Sequence, residues 1–171
     1  THSIIERSDR ILITGANGFI GSKVVETLLV DGFTKLRCLV RSSAYMTNLK
    51  NILESYPADA IEVCEGNLLS RDVCRRAVEG VSVVYHLAAG RGEKSYPNAY
   101  MNSVVTTRNL LEAMGENGTA KRIVCVSSFT VYSTARLKSG ELLDETCSLE
   151  EQPHLRGEAY CYAKVRQEDI L

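Results

Sequence analysis

The sequence has no long apolar run, no charge excess and no paired-cysteine signature, and each absence removes a class of function. No stretch approaches the eighteen or so consecutive apolar residues of a membrane-spanning helix, so no membrane partner is expected. The formal net charge is −1, from 20 Lys and Arg against 21 Asp and Glu. That balance offers no electrostatic footprint for a nucleic acid or an anionic membrane surface. Six cysteines stand at 38, 64, 74, 125, 147 and 161, none of them spaced C-x-x-C, so neither a metal centre nor a dithiol site is expected. Cys38, Cys64 and Cys125 lie inside apolar runs, where a thiol behaves as a small hydrophobe. The opening THSIIERSDR is charged and lacks the apolar stretch of a secretory signal. A reducing, cytoplasmic setting with free thiols is the expectation. Internal repeats, low-complexity tracts and interdomain linkers are missing as well.

What remains is the composition of a soluble globular chain, 44% hydrophobic and 24% charged over 171 residues. That length suits one domain or most of one. Strand-like runs are predicted at 10–15, 35–41, 60–66, 81–89 and 122–128. Between them the spacing predicts helices at 18–32, about 44–54, 71–80 and about 97–116, with a last one beginning near Tyr160. The first helix places Ile20, Val24, Leu28 and Leu29 on one face and stops at Asp31-Gly32; the last presents Tyr160, Val165 and Ile170. Strand alternating with helix means parallel neighbours joined by crossovers. The continuous apolar character of the first, fourth and fifth strands predicts that both sheet faces are covered. The expected fold is α/β, a doubly wound parallel sheet of the Rossmann kind.

Three glycines, Gly15, Gly18 and Gly21, interrupt the first strand-to-helix passage in ITGANGFIG. In such a sheet this turn is where a pyrophosphate binds: one glycine makes the turn, one lets backbone approach phosphate, and one packs helix on strand. Backbone N–H groups and the positive helix end then hold the anion. The spacing is G-x-x-G-x-x-G rather than G-x-G-x-x-G.

TGANGFIG resembles the cofactor motif of the short-chain dehydrogenase/reductase superfamily, in particular its extended branch, the NAD-dependent epimerase/dehydratase family. VYHLAA (84–89) is similar to the family's fourth-strand motif and VCVSSFTVYS (124–133) to its fifth, which ends in the catalytic serine or threonine. YCYAK (160–164) matches its Y-x-x-x-K signature, and GNLLSRD (66–72) is similar to its adenine-contacting segment. The resemblance implies a cofactor cradle of Gly15, Asn17, Gly18, Phe19, Ile20 and Gly21. It places Asn67 and Leu68 at adenine and Leu87, Ala88 and Ala89 along the dinucleotide. Asn67 stands where the family has aspartate, and SVVTT (103–107) departs from Asn-Val-x-Gly-Thr, with Asn102 displaced by one position; either Asn102 or Ser103 lines the site.

The second strand ends CLVRSS, with Val40 where an NAD enzyme carries an acid for the ribose 2′-hydroxyl and Arg41 beside it. A guanidinium suits a 2′-phosphate, so NADP is expected ahead of NAD. Arg37 either supports that charge or is a solvated edge residue.

Tyr160 and Lys164 are four apart and share a helix face. A phenol in water ionises near pH 10, and lowering that by about three units takes roughly 4 kcal/mol from a nearby cation. By the resemblance Tyr160 transfers the substrate proton, Lys164 also grips the nicotinamide ribose, and Ser128 hydrogen-bonds the reacting oxygen. Tyr162 with Arg166 is a competing pair and reads as packing, Ser127 as a backbone neighbour of the cofactor, and His86 as structural. The acidic stretch between Ser128 and Tyr160 is a solvated loop or a wall of the substrate site, with few basic groups for a diphosphate.

In extended family members about as much chain again follows the tyrosine helix, so a portion of a longer enzyme is expected. The implied function is an NADP-using epimerase or dehydratase acting on a small molecule, a nucleotide sugar first, as a homodimer. The alternatives are an NADP-dependent carbonyl reductase and a non-catalytic NADP-binding sensor.

Overall fold

A computed structural model describes residues 4–41, 45–90 and 92–171. Five apolar runs form strands: β1 (Arg10–Thr14), β2 (Leu36–Val40), β3 (Ile61–Glu65), β4 (Val81–His86) and β5 (Arg122–Cys125). They make one parallel sheet in the order β3-β2-β1-β4-β5. The crossovers carry α1 (Phe19–Val30), α2 (Thr47–Ser55), α3 (Arg71–Val78) and α5 (Thr106–Asn117), with the short α4 (Tyr96–Tyr100) ahead of α5. The expected helix start at residue 44 lies outside the described residues.

Alternation along the strands decides the two cores. Ile11, Ile13 and Cys38 pack on one face with Val25 and Leu28 of α1 and Leu49 of α2. Leu12, Leu39 and Val84 face the other way, onto Cys74 and Val78 of α3 and Leu110 of α5. Each fully buried Ile, Leu or Val contributes about 1.5–3 kcal/mol, so the sheet is covered on both faces by many such terms. This is the doubly wound Rossmann-like arrangement. All six cysteine sulfurs are unbridged thiols, and burial pushes Cys38 up to about 12, with the neighbouring Cys64 adding to the rise.

Several details differ from the sequence reading. The buried face of α1 is Gly21, Ser22, Val25, Leu28 and Leu29, while Ile20 is 52% exposed. Gly21 lets the helix approach so closely that it, rather than Ile20, becomes the contact residue. The fifth strand is not covered on both faces: Arg122 and Val124 are exposed and Ile123 and Cys125 half-buried. Among the described residues β5 is hydrogen-bonded to β4 alone.

Arg37 is neither a 2′-phosphate partner nor a solvated residue. It is 7% exposed, and its Nε donates to Glu62 Oε2 at 2.9 Å. Its Nη1 donates to the carbonyls of Arg76 at 3.0 Å, Ala77 at 2.9 Å and Glu79 at 3.0 Å. Those carbonyls end α3, where acceptors lack further helical partners, and a cation is favoured there by the helix dipole; the Arg76 carbonyl also accepts the Glu79 N–H at 3.4 Å. Burial by itself raises the Glu62 carboxyl, but hydrogen bonds from Arg37 and Cys64 and the charges of Arg37 and Arg10 outweigh it and lower the pKa. The small contribution of this pair is therefore present above the unfolded carboxylate range and lost on acidification. Arg37→Ala is expected to cost about 2 kcal/mol in urea unfolding, with dinucleotide binding retained; a shift in cofactor preference would contradict the capping role.

The chain forms two compact units. One holds the described residues up to Ala88 together with Asn109–Cys125, and the other holds Ala89–Arg108 and Val126–Leu171. In the second, α4 packs against α6 (Ala159–Glu168) through Ala99, Ala159 and Ala163. The Tyr162 ring meets Tyr96 edge-on at 5.2 Å and Tyr100 at 6.3 Å, with Arg166 5.7 Å from its centroid, a packing role. The helix expected over 97–116 is interrupted by a π turn at Met101–Val105.

Candidate functional site

In the first unit the passage from β1 to α1 is built on bare backbone. Gly15 sits at φ +69°, and a Cβ there would lie 3.0 Å from the Ala88 nitrogen. A Cβ on Gly21 would lie 2.1 Å from the Gly15 carbonyl oxygen, so helix and loop are in backbone contact. Gly18 is different: its added Cβ would meet only that same oxygen, at 3.2 Å, and the residue is exposed. It is the N-cap of α1, with no side-chain cap and no acidic residue in the first turn. Phe19 and Ile20 carry the first helical N–H groups and are 87% and 52% exposed. Asn17 donates its amide to the Tyr45 carbonyl at 3.2 Å, and Asn48 donates back to the Asn17 carbonyl at 3.2 Å, which ties the loop to the first turn of α2 and to Tyr45 ahead of it.

The neighbouring strand ends brace this loop. Thr14 Oγ1 accepts the N–H groups of Leu87 and Ala88, both at 3.2 Å, and lies 2.8 Å from His86 Nδ1. Which of the two donates follows the tautomer of the imidazole. His86, 2% exposed, thereby orients the β4 end. Leu87 and Ala88 are half-buried. Beside them Arg41 follows β2 directly and is exposed; the Gly15 N–H donates to the Leu39 carbonyl at 3.2 Å, which sets the end of β2 next to the glycine loop. The Asn67 oxygen accepts from Leu69 N–H at 2.9 Å, so it shapes its own turn. Sequence reasoning missed Asn109, whose amide donates to the carbonyls of Leu68 at 2.9 Å and Leu69 at 3.2 Å. A buried polar residue on an otherwise apolar helix face was the available signal.

The second unit carries the three candidate catalytic groups. Ser128 precedes a 3-10 turn, Phe129–Val131, and its Oγ accepts from Thr130 Oγ1 at 2.9 Å and Thr130 N–H at 3.3 Å. Both lone pairs are used, so its hydrogen is the group left to donate to a further partner. Thr130 is held in turn: its carbonyl accepts from Arg156 Nη1 at 3.1 Å and Cys161 Sγ at 3.2 Å. Tyr160 lies half-buried in the first turn of α6. Lys164, one turn on, is 4% exposed, and its Nζ donates to the Val126 carbonyl at 2.5 Å and to Gln167 Oε1 at 2.7 Å.

The choice between Asn102 and Ser103 divides by contact. Ser103 is fully buried and its Oγ accepts the Gly90 N–H at 3.0 Å, while Asn102 donates to Glu93 Oε1 at 3.0 Å. Ala89, in the same segment, is exposed. A cavity of about 620 Å³ opens within the stretch 133–156, with Arg136, Leu137, Leu149, Glu150 and Arg156 among its walls. None of Ser128, Tyr160 and Lys164 lines it, so the acidic loop borders a space apart from the three candidate groups. Among the described residues no three His, Cys, Asp or Glu side chains are placed to hold a metal ion, and no helix is long and apolar enough to cross a membrane.

The passage from β1 to α1 fits the pyrophosphate of a nicotinamide dinucleotide. The α1 terminus offers uncapped N–H groups, an exposed glycine and no competing carboxylate, which is what a pyrophosphate requires.

Relatives point the same way. The chain is 33% identical over 161 residues to cinnamoyl-CoA reductase 1 of Oryza sativa subsp. japonica, covering 92% of this chain and 46% of that one. It is 31% identical to an uncharacterised UDP-glucose epimerase of Bacillus subtilis (strain 168), covering 90% and 51%. The chain thus spans about half the length of these relatives. Among solved structures, a dTDP-glucose 4,6-dehydratase from Streptomyces venezuelae with NAD bound superposes with TM-score 0.78 at 24% identity over 94% of this chain and 50% of that one, a likeness of fold. Residues 11–171 match the model of the NAD-dependent epimerase/dehydratase family, and the chain belongs to that family.

Proposed function

We propose that this chain carries the cofactor-binding and proton-transfer residues of an NADP-dependent oxidoreductase acting on a small molecule, of the sugar-nucleotide epimerase/dehydratase kind. What supports this most is Lys164. A buried lysine is costly unless its ammonium is hydrogen-bonded, and here it is held one helical turn from Tyr160. Tyr160 moves the proton at the substrate oxygen. Ser128 donates its hydroxyl hydrogen to that oxygen, and Lys164 bonds the nicotinamide ribose. Gly18, Phe19, Ile20 and the neighbouring backbone N–H groups hold the pyrophosphate, with Gly15 and Gly21 setting the loop. Asn17, Leu87, Ala88 and Ala89 border the dinucleotide, and Asn67 and Leu68 its adenine. When bound, the nicotinamide supplies the hydride chemistry. A homodimer and a cytoplasmic setting accompany the reading.

Arg41 accounts for the preference for NADP over NAD, because a guanidinium pairs with a 2′-phosphate in charge-assisted hydrogen bonds. Arg41→Ala is expected to weaken NADPH binding about 10–100-fold and leave NADH binding unchanged. Nicotinamide fluorescence titration measures both. Equal affinities in the unaltered protein would remove the role of Arg41.

A second reading is a carbonyl reductase. It draws on the likeness of LRCLVR at β2 to NADP-dependent ketone reductases and on the relation to the rice reductase. NADPH oxidation by aldehydes or ketones, with UDP- and dTDP-sugars inert, would favour it over the first. Dinucleotide binding without turnover of either class would point instead to a sensor.

A further inference from the structure

Lys164 is held by a residue that the candidate catalytic set does not include. Gln167, three residues on along α6, is 3% exposed, and a buried primary amide needs partners at both ends. Its Oε1 accepts from Lys164 Nζ at 2.7 Å, and its Nε2 donates to Thr107 Oγ1 at 2.7 Å. Thr107, fully buried, donates its own hydroxyl hydrogen to the Ser103 carbonyl at 2.5 Å.

That chain of bonds has one direction. Because the Thr107 hydrogen is committed to Ser103, its oxygen meets Gln167 as an acceptor, so the amide must turn its NH₂ toward Thr107 and its oxygen toward Lys164. The carbonyl that Thr107 bonds belongs to the π turn Met101–Val105. The same residue, Ser103, accepts the Gly90 N–H through its hydroxyl. One continuous polar line thus joins Gly90, Ser103, Thr107, Gln167 and Lys164, all within the second unit. Lys164 is a long, flexible side chain, and restricting it costs rotamer freedom. A preset acceptor removes that cost from ligand binding.

We propose that Gln167 is a positioning residue: its amide, oriented by Thr107, fixes the Lys164 ammonium before the dinucleotide arrives. The cofactor half of this statement rests on the function proposed above; the placement of Lys164 does not.

The test uses the full-length protein labelled with ¹⁵N at lysine Nζ, with NADPH as the ligand. The Lys164 ammonium resonance is identified by its loss in Lys164→Met. Gln167→Leu is expected to remove or broaden that resonance and to weaken NADPH binding about tenfold, with unchanged far-UV circular dichroism. Gln167→Glu keeps an oxygen acceptor against Lys164 and is expected to retain the resonance. A folded Gln167→Leu protein with an unaltered Lys164 resonance would overturn the proposal. Should Gln167→Leu not fold, Thr107→Val is read in its place, and an unaltered resonance there would overturn it equally. If Lys164→Met binds NADPH as the unaltered protein does, the cofactor reading fails, while the resonance in Gln167→Leu still decides whether Gln167 places Lys164.

Discussion

Tyr160→Phe is expected to lower turnover by the full-length protein about 10²–10⁴-fold, the usual worth of one positioned proton-transfer group. Phenylalanine keeps the ring and its packing at the start of α6 and removes only the hydroxyl. NADPH binding and thermal stability should therefore stay close to those of the unaltered protein. The neighbouring groups make the expectation specific. Ser128 has both lone pairs occupied by Thr130 and can offer an oxygen only a hydrogen. Lys164 is buried and tied to Val126 and Gln167. Neither is arranged to replace a lost phenol. The control is Tyr162→Phe: that ring packs against Tyr96 and Tyr100, and its hydroxyl has no role in the proposed chemistry. Steady-state rates for both variants measure the difference. Unchanged turnover in Tyr160→Phe would end the assignment.

Gly21→Ala is expected to produce the largest structural effect of any glycine-to-alanine change in this chain. The new carbon would lie 2.1 Å from the Gly15 oxygen, 2.8 Å from the Gly15 carbon and 2.9 Å from the Ala16 Cα. All three are backbone atoms, with no flexible side chain to move aside, so α1 must retreat from the end of β1. Overpacking of this kind costs about 1–3 kcal/mol, and the retreat also carries Val25 and Leu28 away from Ile11 and Ile13, which they pack against. Gly18→Ala is the informative partner. Its methyl meets a single atom at 3.2 Å, so stability should change by less than about 1 kcal/mol. Dinucleotide binding should nevertheless weaken, because the exposed glycine is where the backbone must approach phosphate. Urea unfolding and NADPH titration on both variants separate the two roles. Equal losses of stability at 18 and 21 would contradict the division.

The alternation of strands and helices was legible because its determinants are local. Apolar periodicity, the Asp31-Gly32 stop and the glycine turn each act within a few residues of themselves, and the five strands form where that pattern put them. The strand ends ran long by one to three residues, as at His86 and Cys125; past His86 the apolar side chains Leu87, Ala88 and Ala89 continue beyond the last ladder bond. Part of the candidate site was legible for the same reason: Tyr160 and Lys164 share a helix face through their spacing alone. The π turn was not legible, since one extra residue in a helical turn leaves the apolar pattern nearly intact.

By itself, the sequence determined a doubly wound parallel sheet with a glycine-built first turn, since backbone sterics and side-chain period are properties of short segments. Tertiary structure alone decided what its polar residues do. Arg37 reads as a charge at the end of a strand, and only the fold brings it to the carbonyls of Arg76, Ala77 and Glu79. Gln167 reads as one polar residue among several, and only the docking of α6 gives it Thr107. Hydrogen bonds between residues distant in the chain depend on where whole elements pack, and no local pattern encodes that.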